Sequence, residues 1–220
     1  MLRPGGIQPG TSPVHVTPGT TAGPVSATAL AHGWPSAMAA PADLVERARS
    51  GDRIAFEALV EGRLDQAFRT ARAILGNEAD ARDATQEAFL HAWRDLPRLR
   101  DPERFDAWLG RILVNSCRQA LRGRRRRSVR EIAASDLFDP VETVPTSDEP
   151  PDEALAASDA LERAFERLSV DERAILVLHH LERRPLSEIA ATLAIPTGTA
   201  KSRLHAARHA LERALEAELR

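Results

Sequence analysis

The sequence predicts an all-α protein made of two small helical domains, and three observations support this fold class. Apolar residues recur at steps of three and four through residues 43–122 and again after residue 155, as they do on one face of an amphipathic helix. A stretch rich in proline and acidic residues lies between these parts and is typical of a linker. The composition, with 43% hydrophobic and 28% charged residues among 220, is that of an ordinary globular protein.

Residues 1–41 are predicted to form a disordered N-terminal tail. They hold seven of the 15 prolines and six of the 12 glycines, with almost no charge and no sustained periodicity. Met38 stands just before the first helical pattern, so translation starts either at Met1 or at Met38.

Several classes of protein are excluded by composition. No apolar run approaches the roughly 20 residues that cross a bilayer, and the first residues lack the apolar stretch of a secretory signal. We therefore expect a cytoplasmic protein without a membrane span.

Cys117 is the only cysteine, which excludes an intramolecular disulfide and a multi-cysteine zinc site. We expect neither a metal ion nor a cofactor.

The first domain, residues 42–127, is predicted to contain three amphipathic helices. The first runs without interruption over residues 56–75 and ends at Gly76, a residue suited to a helix C-cap. The second covers about residues 78–96 and stops at Pro97, because proline cannot continue a helix. One apolar stripe of this second helix is predicted to face the core: Ala81, Ala84, Ala88, Phe89, Ala92 and Trp93.

The third helix begins after Pro102 and runs into an arginine-rich segment. Trp108 is in register with Phe105 and Ile112, which favours a position in the core. The arginine run at residues 124–127 is suited to follow a phosphate backbone.

Basic and acidic residues form two separate runs near the junction of the two predicted domains. Residues 118–130 hold seven arginines and no acid, a local charge of +7, whereas residues 131–153 hold eight acids and no lysine or arginine, a local charge of −8. Residues 128–154 are accordingly predicted to be an acidic linker rather than a folded element.

The second domain, residues 155–220, is predicted to end in a helix-turn-helix. Ser169 and Glu172 have the spacing of a capping box, which starts a helix at Val170. A short helix follows from near Pro185, a turn interrupts it at residues 195–198, and Thr197 is placed to cap the last helix. That helix is predicted to bury one apolar stripe: Ala200, Leu204, Ala207, Leu211 and Leu215.

Polar residues occupy the first turns of the last helix, where a second helix of this motif enters the major groove of DNA. Thr199, Lys201 and Ser202 lie near its N-terminus, where free N–H groups favour phosphate. Lys201, Arg203, His205 and Arg208 fall off the apolar stripe. A plain helical hairpin with solvated charges has the same pattern, so the pattern alone leaves both interpretations open.

The residues of this motif carry a resemblance to a known family. The segment LSEIAATLAIPTGTAKSRLHAARHAL, residues 186–211, closely resembles region 4 of sigma-70 family proteins of the extracytoplasmic-function (ECF) group. The segments AFEALVEGRLDQAFRTARAILGNEADARDATQEAFLHAW and FDAWLGRILVNSCRQALRGRRRR resemble region 2 of the same group. The two resemblances cover about residues 43–127 and 155–215, in the expected order.

The resemblance implies a sigma factor that directs RNA polymerase to promoters and helps to melt them, with no catalytic residue of its own. The residues implied to dock on a coiled coil of the largest polymerase subunit share one helix face: Asp83, Gln86, Glu87 and Leu90. Those implied to contact the −10 element are Arg104, Arg111, Asn115, Arg118 and Arg122. Those implied to contact the −35 element are Thr199, Lys201, Ser202, Arg203, His205 and Arg208.

The resemblance also implies further partners. These are promoter DNA, the flap of the second largest polymerase subunit and an anti-sigma factor. Some positions depart from the family pattern: Ala200 and Ala206 stand where the family often has valine and arginine, and Arg82 and Ala84 replace a common glutamate and leucine.

Two other functions compete with this interpretation. A stand-alone helix-turn-helix regulator would bind an operator without polymerase, but it gives no role to the helix with Asp83, Gln86 and Glu87. A nuclease would use Asp80, Asp83 and Glu87 as metal ligands, but no histidine or further acidic motif completes a two-metal site.

Overall fold

A computed structural model describes residues 40–134 and 153–219. Every regular element within these two ranges is helical, which confirms the predicted all-α class. None of the described helices is long and apolar enough to cross a membrane. The α-helices are α1 (Ala42–Arg49), α2 (Arg53–Glu61), α3 (Leu64–Leu75), α4 (Glu78–Asp95), α5 (Phe105–Ala134), α6 (Glu153–Glu166), α7 (Val170–Leu176), α8 (Leu186–Leu193) and α9 (Thr197–Glu218).

The prediction of one uninterrupted helix over residues 56–75 is wrong, because the helix is interrupted between α2 and α3. Helix α2 starts at an Asp52 cap, whose side chain accepts a hydrogen bond from the Ala55 N–H, and it ends at Gly62. Arg63 leaves the helical path and buries its side chain against α5, where its Nε lies 2.8 Å from Asp106 Oδ1. Gly76 ends α3 with φ +82°, as predicted for a C-cap.

Helix α4 follows the predicted bounds closely. The Asn77 side chain caps it by accepting a hydrogen bond from the Asp80 N–H at 2.8 Å. Most of its predicted apolar stripe is buried, but Trp93 is 42% exposed, so its prediction as a core residue is wrong. A short 3-10 turn at Leu96–Arg98, which includes Pro97, ends the helical run.

Helix α5 is longer than predicted. Phe105 and Leu109 are buried, and Trp108 packs partly buried against the same core, as predicted. The helix continues to Ala134, so the linker predicted from residue 128 is wrong for residues 128–134, which contain neither proline nor glycine to interrupt it. Residues 153–154 are also helical. The rest of the linker, and the predicted tail before residue 40, lie outside the described residues.

The second helical part has the predicted helix-turn-helix. The capping box of Ser169 and Glu172 is present, and α7 starts at Val170 and continues into a π-helical turn at Val177–Leu181. The prediction that Thr197 caps α9 is wrong: Thr197 is the first helical residue, Pro196 precedes it, and no side chain caps the helix. Helices α7, α8 and α9 share a core of Ile175, Leu178, Ile189, Leu204 and Ala207.

The two helical parts pack directly on one another. All described residues belong to one compact unit. Ala174 of α7 and Val177 join the same apolar cluster as Leu109 and Leu113 of α5.

Candidate functional site

One face of α4 presents the four residues predicted to dock on a protein partner. Asp83, Gln86, Glu87 and Leu90 are all exposed, and their spacing of three and four places them on neighbouring turns of the same side. Leu90 is 59% exposed, and Trp93, three residues further along the same helix, is exposed as well, so this part of α4 carries apolar surface.

An apolar groove of about 610 Å³ lies between α2, α3 and α4 beside this face. Gln86 and Leu90 line it together with Trp93, and the Trp93 ring packs against Phe56 with centroids 4.8 Å apart. The remaining apolar lining residues are Val60, Leu64, Phe68 and Phe89.

The sequence does not predict this groove, because its apolar pattern assigns Trp93 to the buried stripe, opposite the face with the predicted docking residues. The spacing of residues along the helix nevertheless indicates that Trp93 shares a face with Gln86 and Leu90. Trp93 follows Gln86 by seven residues and Leu90 by three, which is the spacing of one shared face. An exposed groove lined by aromatic rings is a typical protein-docking surface.

Four of the predicted −10 residues lie along one side of α5, at steps of three and four. Arg111 and Arg122 are exposed, whereas Asn115 and Arg118 are half-buried. The Arg118 side chain donates one hydrogen bond to Asn115 Oδ1 at 2.6 Å and another, from Nε, to Asp171 Oδ1 at 2.7 Å. Asp171 belongs to α7, so a residue of the second helical part holds one of these predicted DNA contacts.

Arg104 stands apart from that row. It ends the 3-10 turn Pro102–Arg104 that precedes α5, and its exposed Nε lies 3.1 Å from Asp101 Oδ2. Arg126 is also exposed and lies four residues after Arg122, so it continues the row along the same side of α5.

The predicted −35 residues occupy the outer face of α9. Lys201, Ser202, Arg203, His205 and Arg208 are exposed, and Thr199 is half-buried. The opposite face, with Ala200, Leu204 and Ala207, is buried against α7 and α8. The first turns of α9 are thus packed on one side, and most of their polar side chains are exposed on the other.

A pair of histidines that sequence reasoning did not single out lies behind Arg208. Arg208 Nε donates a hydrogen bond to His180 Nε2 at 3.2 Å. His180 Nε2 must therefore carry no proton, because only an unprotonated ring nitrogen accepts a hydrogen bond. Burial lowers the pKa of both His179 and His180, and the nearby Arg208 guanidinium lowers each pKa further. No sequence motif marks this contact, because it joins residues of two helices.

The metal-dependent nuclease receives no support from these residues. Within the described parts of the chain, no group of three or more histidine, cysteine, aspartate or glutamate side chains could hold a metal ion. Asp80 instead lies in the first turn of α4, where its Oδ2 accepts a hydrogen bond from Nδ2 of the capping residue Asn77 at 2.8 Å.

Comparison with known proteins finds one family match in each of the two helical parts. The family model for sigma-70 region 2 matches residues 59–127, and the model for sigma-70 region 4 matches residues 158–211. The RNA polymerase sigma-H factor of Pseudomonas aeruginosa is 31% identical over 80% of this chain and 94% of its own length. The ECF RNA polymerase sigma-E factor of Escherichia coli is 32% identical over 80% of this chain and 95% of its own.

A solved structure also has a similar fold. It is CnrH in complex with the cytosolic domain of CnrY, with a TM-score of 0.55 and 26% identity, covering 80% of this chain and 97% of that one. Two helical modules of this kind, in this order, define a sigma factor. The chain belongs to the sigma-70 family of RNA polymerase sigma factors, in its ECF group.

Proposed function

We propose that this protein binds core RNA polymerase and directs it to promoters by contacting the −10 and −35 elements through separate helical modules. The observation that carries the proposal is the presence of both sigma-70 regions, in order, each with its polar face outward. Binding energy performs this work, so the protein needs no catalytic residue and no cofactor.

The docking face of α4 and the adjoining groove form the proposed contact with polymerase. The polar residues Asp83, Gln86 and Glu87 fix orientation, and Leu90 with Trp93 supplies apolar area at the centre. A coiled coil of the largest subunit presents the amphipathic helices that such a groove accepts. The flap of the second largest subunit is the expected contact of the second helical part.

The outer side of α5 forms the proposed contact with the −10 element. Arg111 and Arg122 are placed to hold phosphates, and Asn115 is a side chain that reads base edges. Capture of an unstacked base and its single strand offsets the few kcal/mol that unstacking costs. Promoter melting therefore follows from binding alone.

The outer face of α9 forms the proposed contact with the −35 element. Lys201 and Arg203 project from the first turns of the second helix of the motif, the part that enters the major groove. Ala206 leaves that face with one basic side chain fewer than the family pattern, so we expect a modest affinity for duplex DNA in the absence of polymerase.

An anti-sigma protein is the proposed regulator, and the cytoplasm is the proposed location. Both proposals rest on family membership. An anti-sigma protein that covers the groove of α4 would exclude polymerase from the same surface.

Two measurements test the proposed function. Purified protein added to core polymerase should give promoter-selective run-off transcripts from a pool of genomic upstream fragments. Gln86→Ala should weaken core binding by about tenfold, because it removes a central polar contact. The matched control is Gln119→Ala, an exposed glutamine of α5 outside the groove. Failure to bind core polymerase at all would instead favour the stand-alone regulator.

A further inference from the structure

Arg208 lies much farther along α9 than the other residues predicted to contact DNA. Lys201 is in the first turns, whereas Arg208 comes eleven residues after Thr197, where the helix begins. At 1.5 Å per residue, Arg208 is roughly 16 Å along the helix axis. The major groove is only about 12 Å wide, and the second helix of this motif enters it by its N-terminal turns. Arg208 is therefore placed to meet a phosphate at the edge of the groove rather than a base.

A histidine outside α9 holds the Arg208 side chain. The hydrogen bond from Arg208 Nε to His180 Nε2 joins α9 to the π-helical turn at Val177–Leu181. The His180 ring packs against the half-buried His179, with ring centroids 4.6 Å apart and an interplanar angle of 65°. Arg208 and His180 are themselves exposed, so a ligand can reach the pair from solvent.

This hydrogen bond uses one of the five N–H groups of the guanidinium. The bond engages Nε, so the four N–H groups of Nη1 and Nη2 stay available to a ligand. Two parallel N–H groups are the arrangement with which arginine binds the oxygens of a phosphate. A guanidinium that is already held in place also loses less side-chain entropy when it binds.

His180 itself brings no positive charge to this contact near neutral pH. Partial burial lowers the pKa of His180, and the neighbouring His179 and Arg208 lower it further. At about pH 7.5 the ring is therefore neutral, and it accepts a hydrogen bond without attracting phosphate. An effect of His180 on DNA binding must accordingly act through Arg208.

We infer that His180 is a positioning residue for the −35 contact, which holds the Arg208 guanidinium ready for a phosphate at the edge of the major groove. The inference rests on the proposed function, in which α9 binds the −35 element. It adds a residue that lies outside α9 and outside the predicted DNA contacts. A hydrogen bond that only joined α9 to the π-helical turn would support the fold but would not act through Arg208 on DNA affinity.

Binding of the holoenzyme to a duplex promoter fragment tests the inference, at about pH 7.5 and over a series of salt concentrations. Arg208→Ala should weaken binding about tenfold and lower the slope of log K against log salt by about 1, because one phosphate contact is lost. His180→Leu should weaken binding about fivefold but leave the slope unchanged, because Arg208 still reaches the phosphate with a greater loss of side-chain entropy. The matched control is His180→Gln, whose amide oxygen accepts the same hydrogen bond and should restore the wild-type affinity.

A double variant separates positioning from a purely structural role. In the Arg208→Ala background, His180→Leu should change promoter binding by less than about twofold, because the side chain that His180 positions is absent. An equal loss in both backgrounds would overturn the inference, as would a failure of His180→Gln to restore affinity. A lower salt slope for His180→Leu would also overturn it, because His180 would then contact phosphate as a cation. His180→Ala, which likewise lacks an acceptor, gives the same comparison if the leucine variant does not fold.

Failure of this inference differs from failure of the proposed function. If His180→Leu bound the promoter as tightly as the wild type, the positioning role would be overturned and the proposed function would stand. If the holoenzyme with the wild-type protein bound no promoter fragment at all, the proposed function would fail instead.

Discussion

Arg63 and Asp106 form an ion pair that joins the break between α2 and α3 to the start of α5. Arg63 Nε lies 2.8 Å from Asp106 Oδ1, and Asp106 Oδ2 accepts a hydrogen bond from the Ala40 N–H at 2.9 Å. One carboxylate, only 18% exposed in its side chain, thus holds the first residues of the described chain and a buried guanidinium.

Replacing Asp106 by asparagine should therefore destabilise the fold. Asp106→Asn keeps the shape of the side chain but removes the charge that faces Arg63, and breaking a buried pair in this way costs about 3 kcal/mol. Urea unfolding followed by circular dichroism measures the free energy of unfolding. Asp159→Asn, which changes an exposed acid of α6, should alter it by less than about 0.5 kcal/mol. Equal stabilities of the two variants would contradict a structural role for the pair.

Trp93 should contribute more to polymerase binding than to stability. Its ring is 42% exposed and forms one wall of the groove on α4. Trp93→Ala should weaken core binding by at least about tenfold, as the loss of a central aromatic contact does. Ile54→Ala is the matched control, because Ile54 is 74% exposed but does not line the groove. Similar dissociation constants for the two variants, measured by fluorescence anisotropy, would argue against the groove as the docking surface.

Local sequence signals predicted most of the helices and the outward faces of the site. The Ser169 capping box, the Gly76 cap and the spacing of Asp83, Gln86 and Leu90 all depend on residues within one or two turns of each other. Such patterns can be recognised without knowing the fold.

The features that the sequence does not predict depend on contacts between residues distant in the chain. The interruption of the helix at Arg63 is stabilised by Asp106, 43 residues away. The exposure of Trp93 depends on how much of its ring α2 covers. The sequence assigns Arg118 to DNA alone, because no residue near it in the chain indicates that Asp171 is its partner. The sequence predicts that α5 ends before residue 128, near the point where the charge changes, but the change in charge does not interrupt the helix, which continues to Ala134.

Lys201 should contribute charge rather than sequence recognition. It is exposed in the first turns of α9, where the proposed −35 contact needs cations near phosphate. Lys201→Ala should weaken holoenzyme binding to all promoter fragments alike and lower the slope of log K against log salt by about 1. Arg213→Ala removes an exposed charge farther along the same helix and should leave the slope unchanged. A selective loss at some promoters only would show that Lys201 reads bases.

The pair His179 and His180 should make the stability of the protein depend on pH in the mildly acidic range. Burial holds the pKa of each imidazole below its ordinary value of 6.5, and Arg208 of α9 lowers both further. The native state therefore binds protons more weakly than the unfolded chain does. Stability from this pair is fully present above pH 6.5 and is lost as the pH falls through the lower native pKa values.

Thermal melts at a series of pH values, from about 7.5 down to about 5, measure this dependence. His179→Gln/His180→Gln removes both titrating rings, so its melting temperature should fall less steeply with acid than that of the wild type. His91→Gln, which changes a half-buried histidine of α4, should retain the wild-type slope. Parallel curves for the double variant and the wild type would mean that protonation of these rings is not coupled to unfolding, since carboxylates common to all three proteins contribute equally to each curve.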